Sequence, residues 1–214
     1  MKTSATLLLL AFAAGSAFAD EGFYITGSAG QSKFRGNKND ITAPLEYQFN
    51  TFYSLGFYPT GFDRTDTGYR LQGGYAFASN FAVEFGYTDF GNAVYKATIG
   101  DGSTWKQTFK TSGWNIALVD KLPINDDFAI LLKFGVINAK FKSEVTGNGT
   151  AGTFHRNEES TDIRPQFGLG ASYALTSHID LRIEWERTRT VGDQQKTATE
   201  GDLDFLSTGL SYKF

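Results

Sequence analysis

The chain has 214 residues, with 20 Lys and Arg against 23 Asp and Glu for a net charge of −3, 15% aromatic residues and no Cys. That balance argues against nucleic acid as a partner, and the lack of Cys excludes disulfides, thiolate metal sites and a Cys-linked lipid. Beyond the N-terminus no apolar run approaches the ~20 residues of a spanning helix, so entry into a membrane would require a closed sheet.

The N-terminus carries Lys2, an apolar run from Leu7 to Ala14, and Ala17, Phe18 and Ala19 ahead of Asp20. This pattern predicts a secretory signal peptide over residues 1–19, cleaved after Ala19, followed by one domain over 20–214. Secretion without Cys points to a bacterial envelope.

Two-faced strands follow in order. The first runs from Gly22 to Phe34, with Phe23 and Ile25 opposite Tyr24, Thr26 and Ser28. The second, Gly68 to Phe77, sets Tyr69, Leu71, Tyr75 and Phe77 against Arg70, Gln72, Gly74 and Ala76. The third, Asn80 to Phe90, sets Phe81, Val83, Phe85 and Tyr87 against Ala82, Glu84, Gly86 and Thr88. The fourth reaches back to Trp105 at its longest and ends with Trp114, Ile116 and Leu118 against Asn115, Ala117 and Val119. The fifth sets Phe128, Ile130, Leu132, Phe134 and Val136 against Ala129, Leu131, Lys133 and Gly135. The sixth sets Phe167, Leu169, Ala171, Tyr173 and Leu175 against Arg164, Gln166, Gly168, Gly170 and Ser172. The seventh sets Ile179, Leu181, Ile183 and Trp185 against Asp180, Arg182, Glu184 and Glu186, and the eighth alternates from Leu206 to Phe214.

Connections are short around Ala78, Pro123 to Asp127 and Ser177, and long over Arg35 to Asp66, Asn92 to Thr104, Ser143 to Ser160 and Thr188 to Gly201. Alternating short and long connections, with both ends of the chain on the short side, predict an all-β, eight-stranded antiparallel up-and-down transmembrane barrel. Its short turns would be periplasmic and its long loops extracellular. Gly74, Gly86, Gly135, Gly168, Gly170 and Gly209 share the polar face, which places that face in the narrow interior. Phe23, Phe81, Phe128, Tyr173 and Tyr212 would form one interfacial girdle, with Tyr87 and Trp185 in the other. A three-residue turn, Phe77 to Ser79, would set Gln72 opposite Glu84 with Arg70 on the diagonal.

The stretch GYRLQGGYAFASNFAVEFGYTDFG (68–91), the run LRIEWER (181–187) and the ending STGLSYKF (207–214) resemble the transmembrane domain of OmpA-like outer-membrane proteins. The resemblance implies an eight-stranded outer-membrane barrel, inserted by the barrel-assembly machinery through a final strand ending in Phe, with Leu210, Tyr212 and Phe214 as that signal. With the chain ending at Phe214, no periplasmic peptidoglycan-binding domain is expected, and cell-wall anchoring is not carried over. The family's interior charges form a plug; Glu84 and Glu184 match its acidic positions and Lys133 its basic one. The inner face of the fourth strand, with Asn115, Ala117 and Val119, lacks the basic partner that a family-type gate would need.

Arg70, Glu84, Lys133, Arg164, Asp180, Arg182, Glu184 and Glu186 are thus the expected interior charges, which either stabilise statically or exchange partners as a gate. Glu184 and Glu186 as paired catalytic carboxylates lack a cleft for a polymer. His155 and His178 fall on opposite sides of the barrel, too far apart for a shared metal. Ser177, His178 and Asp180 sit too close in one turn for a catalytic triad. No catalytic residue, metal or cofactor is expected. Tyr47, Phe49, Phe52, Tyr53, Phe57, Tyr58 and Phe62 in the first long loop either pack as a cap or offer a contact surface for host, phage or lipopolysaccharide. The expected role is structural and surface-interactive, in contact with outer-membrane lipid and lipopolysaccharide. The alternative is a narrow gated pore for ions or small solutes.

Overall fold

The computed structural model describes residues 22–149, 152–197 and 199–214; the expected signal peptide and its cleavage site lie outside the described residues. The elements in order are β1 (Gly22–Phe34), α1 (Lys38–Phe52), β2 (Phe57–Asp63), β3 (Thr65–Ala78), β4 (Phe81–Ile99), β5 (Thr104–Pro123), β6 (Phe128–Gly149), β7 (Gly152–Ala174), β8 (Ile179–Asp193), α2 (Gln194–Thr197) and β9 (Thr199–Lys213). All strand pairings are antiparallel: β3 joins β1, β1 joins β9, and the order continues through β8, β7, β6 and β5 to β4, which returns to β3. This ring of eight strands leaves no free edge across the membrane, as a hydrocarbon environment demands.

The first and last strands close the ring through eleven residue pairs from Tyr24–Lys213 to Phe34–Leu203. On the outer wall, Ile25, Leu71, Phe85, Ile116, Phe134, Leu169, Ile183 and Leu210 are exposed, while the alternate positions Thr26, Gln72, Glu84, Asn115, Lys133 and Glu184 are buried. A surface that exposes aliphatic and aromatic side chains on every strand while burying charges suits lipid outside and a filled interior. Leu210→Arg is therefore expected to cost ~2–4 kcal/mol near the midplane. Urea titration in vesicles checks it; a loss no larger than that of Leu210→Phe would reverse the assignment of the lipid face.

The long connections differ from the loops expected of them. The first holds α1 and a ninth strand, β2, which pairs with the outer part of β4. The second is mostly strand, because β4 runs to Ile99 and β5 starts at Thr104. Its alternation is hidden by a bulge between Asp89 and Asn92, where Gly91 adopts φ +71°. The extra residue shifts parity, so inward positions change from Thr88 and Phe90 to Ala93, Tyr95, Ala97 and Ile99. The third extends the β6–β7 hairpin, and β7 parts from β8 beyond Gln166, next to Pro165, which has no N–H to donate. The fourth carries β8 and β9 outward to α2.

The expected register between the second and third strands is also corrected. Gln72 pairs with Gly86, and Glu84 with Gly74, because a bulge between Ala76 and Ala78 lengthens the β3 side of the turn. The bulge places Phe77 against Phe81, with ring centroids 6.3 Å apart.

Candidate functional site: the filled bore and the outer end

Six of the eight expected interior charges converge. Lys133 on β6 puts Nζ 2.7 Å from Glu84 Oε2, 3.0 Å from Glu184 Oε2 and 2.8 Å from Glu186 Oε1. Arg70 on β3 donates to both Glu186 oxygens at 2.5 and 2.8 Å and lies 3.4 Å from Glu184 Oε2. Arg182 on β8 bridges Glu84 Oε1 at 2.7 Å and Glu184 Oε1 at 2.5 Å. Three cations and three carboxylates form one neutral, solvent-excluded cluster, with Tyr24 donating its hydroxyl to Glu84 at 2.8 Å. Arg70 and Glu84 are thus linked through Glu186 and Lys133 and not across the β3–β4 pair.

The inner glycines make room for these side chains. A Cβ on Gly168 would sit 2.6 Å from Glu186 Cγ, and one on Gly170 2.9 Å from Glu184 Cγ. On β3, a Cβ on Gly74 would overlap the Tyr24 ring.

The other two expected charges stand apart. Asp180 pairs with Lys213 Nζ at 2.9 Å near the short turns, and Arg164 lies 3.4 Å from Asp162 Oδ2 and 3.5 Å from the Gly192 carbonyl. On the short-turn side a cavity of about 340 Å³, lined by Tyr24, Lys121, His178, Asp180, Arg182, Ser211 and Lys213 among others, meets the cluster at Arg182. Ser177 lies 2.9 Å from His178 Nδ1, while Asp180 turns to Lys213; His155 belongs to the outward part of β7. The side-chain amide of Asn115, on the face that lacks a basic partner, is buried with no hydrogen-bond partner among the described residues, as is that of Gln72 on the far side of Gly86 in the same row.

Outward of the charges the bore changes character. Phe34, Phe90, Phe109, Phe141 and Phe205 are each at most 3% exposed and point inward together with Ile137, Val191 and Leu203. Phe34, Phe109 and Phe141 form a triangle with centroids 6.1, 5.5 and 5.6 Å apart. Phe90 meets Phe205 edge to face at 5.6 Å, and the Arg70 guanidinium lies 4.9 Å from the Phe205 centroid, joining the two layers. Sequence reasoning missed this aromatic layer, although Phe90 continues the inward parity of Glu84 and Thr88 and Phe205 that of Ser207 and Gly209.

Helix α1 lies over this layer. Asn37 caps it by accepting from the Asn39 N–H at 3.0 Å; Ile41 is buried, and Thr42 Oγ1 hydrogen-bonds Tyr95 Oη at 2.9 Å. The expected aromatic contact residues divide. Phe57 is buried, Phe49 stacks on it at 5.3 Å, both rings approach Trp105, and Phe62 packs on Tyr95 and Phe109. Tyr47, Phe52, Tyr53 and Tyr58 remain 58–70% exposed. The loop therefore has an inner, core-forming set and an outer, presented set. At the other end of the barrel Leu210, Tyr212 and Phe214 are exposed on the outer wall, with Tyr212 and Phe214 edge to face at 5.3 Å.

Residues 18–214 match the family model described as the OmpA-like transmembrane domain. The chain is similar to outer membrane protein A of Klebsiella pneumoniae, 28% identical over 173 residues covering 78% of this chain and 48% of that protein. It is also similar to outer membrane protein A of Salmonella typhi, 30% identical over 180 residues covering 77% of this chain and 49% of that protein. It thus spans about half the length of these curated relatives. Among solved structures, Neisserial surface protein A superposes with a TM-score of 0.51 at 16% identity, covering 90% of this chain and 97% of that one, a likeness of fold.

Proposed function

The chain belongs to the OmpA-like transmembrane domain family and resides in the bacterial outer membrane, and we propose that it serves there as a closed barrel whose role is structural and surface-interactive rather than conductive. The observation that carries this reading is the aromatic layer lying outward of the salt-bridged cluster. Ions hydrated at one end would have to cross both a neutral lattice in which every carboxylate is salt-bridged and an apolar constriction that dewets. The cavity on the periplasmic side reaches inward to Tyr24 and Arg182, both bonded to the buried Glu84, which supports a blind vestibule. An enzymatic role finds no support in the vestibule, where Ser177, His178 and Asp180 do not align as a relay.

The exposed set Tyr47, Phe52, Tyr53 and Tyr58 on α1 and its flanks supports presentation of a contact surface to host or phage molecules. Leu210, Tyr212 and Phe214, on the wall that the assembly machinery would meet first, support the role of insertion signal.

Planar-bilayer recording of the purified chain tests the closed reading. The unaltered protein is expected to be silent, and Lys133→Gln is expected to stay silent because the aromatic layer remains. Steady current from the unaltered protein would overturn closure. Steady current appearing only in Lys133→Gln would make the charge cluster the sole seal and establish the gated pore in its place.

A further inference from the structure

The outer wall carries a second charge lattice, unrelated to the bore. Lys33 on β1, Asp204 on β9 and Arg187 on β8 are cross-strand partners in one row. In the next row outward, the Arg35 N–H donates to the Asp202 carbonyl at 2.8 Å, and Arg189 Nε lies 3.3 Å from Asp202 Oδ1. Two successive rows thus read cation, carboxylate, cation. They sit directly outward of the row formed by Gln31, Leu206 and Trp185, at the edge of the apolar band. Arg187 lies 5.3 Å from the Trp185 ring centroid, which ties the lattice to the interfacial girdle.

The carboxylates lie beneath Arg35 and Arg189, with Arg187 at the depth of Asp202. Side-chain exposure is 9% for Asp204 and 24% for Asp202, against 48% for Arg35 and 55% for Arg189. Asp204 is gripped by Arg187 through Nε at 2.6 Å and Nη2 at 3.0 Å, and by Arg35 through Nε at 2.5 Å. Arg35 and Arg189 approach the acids through Nε and stay about half exposed, beside the exposed Lys33. Four cations over two acids leave an excess of positive charge, presented by guanidinium forks whose orientation the buried acids fix.

We propose that this lattice is a binding site for a phosphate group on the headgroup of an outer-leaflet glycolipid. Height on the wall selects the lipid source over a soluble anion: the site adjoins the apolar band, so acyl chains would lie along Leu206 and Trp185 while the phosphate reaches Arg35, Arg189 and Lys33. The opposite wall differs in kind. There Lys110 and Lys140 are each paired with a surface glutamate, Glu144 and Glu159, at 2.9 and 3.0 Å. The site rests on outer-membrane placement and not on closure of the bore, so recordings of current and measurements of lipid retention can fail independently.

Native mass spectrometry of the refolded full chain with bisphosphorylated lipid A, against lipid A stripped of both phosphates, tests it. The unaltered protein should retain the phosphorylated form preferentially. Arg35→Gln with Arg189→Gln should reduce that preference roughly ten- to thirty-fold, while Lys110→Gln with Lys140→Gln should leave it nearly unchanged. Heat-modifiable gel mobility reports folding; should the arginine pair not fold, Lys33→Gln alone should lower the preference several-fold. Equal retention of the two lipids, or an undiminished preference in the folded lattice variants, would overturn the site. Displacement of the lipid by inorganic phosphate alone would overturn the choice of lipid as its source.

Discussion

Lys133→Gln is expected to destabilise the barrel by about 3–5 kcal/mol, the usual cost of removing one partner from a buried ionic cluster. Its ammonium lies within 3.0 Å of Glu84, Glu184 and Glu186, and no other cation in the cluster contacts all three. Arg182 would still serve Glu84 and Glu184, and Arg70 would still serve Glu186. The remaining charges would nonetheless sum to one uncompensated negative charge away from water, and a carboxamide offers only partial compensation. Lys133→Gln combined with Glu184→Gln restores neutrality and should recover a large part of the loss. Urea unfolding in lipid vesicles, followed by gel mobility, measures both. A single variant as stable as the unaltered protein would show that the cluster is hydrated well enough to hold unpaired charge. Failure of the double variant to recover would show that geometry, not neutrality, sets the cost.

The membrane-spanning half of this fold was legible in the sequence because lipid imposes a strict two-residue period. Phe81 to Tyr87 and Ile179 to Trp185 alternate without interruption, and the same alternation put Glu84, Glu184 and Glu186 on one face with Lys133. Outside the bilayer that constraint lapses. Beyond Gly91 the outward residues are polar or aliphatic without pattern, and the bulge there reverses parity, so Tyr95, Ala97 and Ile99 read as loop although their side chains are buried. The helix α1 was illegible for a different reason: Pro44 lies inside it, and its hold on the barrel comes from tertiary contacts such as Thr42 to Tyr95. Pairing of particular charges needs the barrel's stagger as well as strand parity. Asp180 shares parity with Glu184 yet pairs with Lys213 across the β8–β9 edge, and Arg164 shares parity with Gln166 yet sits above the cluster near Gly192.

Phe141→Ala is expected to cost about 3–5 kcal/mol, comparable to the loss of Lys133 but for the opposite physical reason. The ring is 1% exposed, lies 5.5 Å from Phe34 and 5.6 Å from Phe109, and backs onto Gly192. Truncation removes apolar contact from three sides, and β6 is held there on both flanks, with Phe141 paired to Thr111 on β5 and Ser160 on β7, so the wall does not move in to fill the gap and the lost volume persists as a cavity. A space lined by Phe34, Phe109 and neighbouring aliphatic side chains should stay dry and accept a small apolar guest. Phe141→Ala should therefore remain silent in planar bilayers, and benzene should raise its resistance to urea while leaving the unaltered protein unchanged. Phe141→Leu, which keeps most of the volume, should lose far less stability. Current through Phe141→Ala, or indifference of the variant to benzene, would mean that water enters where a ring is removed, and the outer layer would then be a packed but wettable constriction instead of an apolar seal.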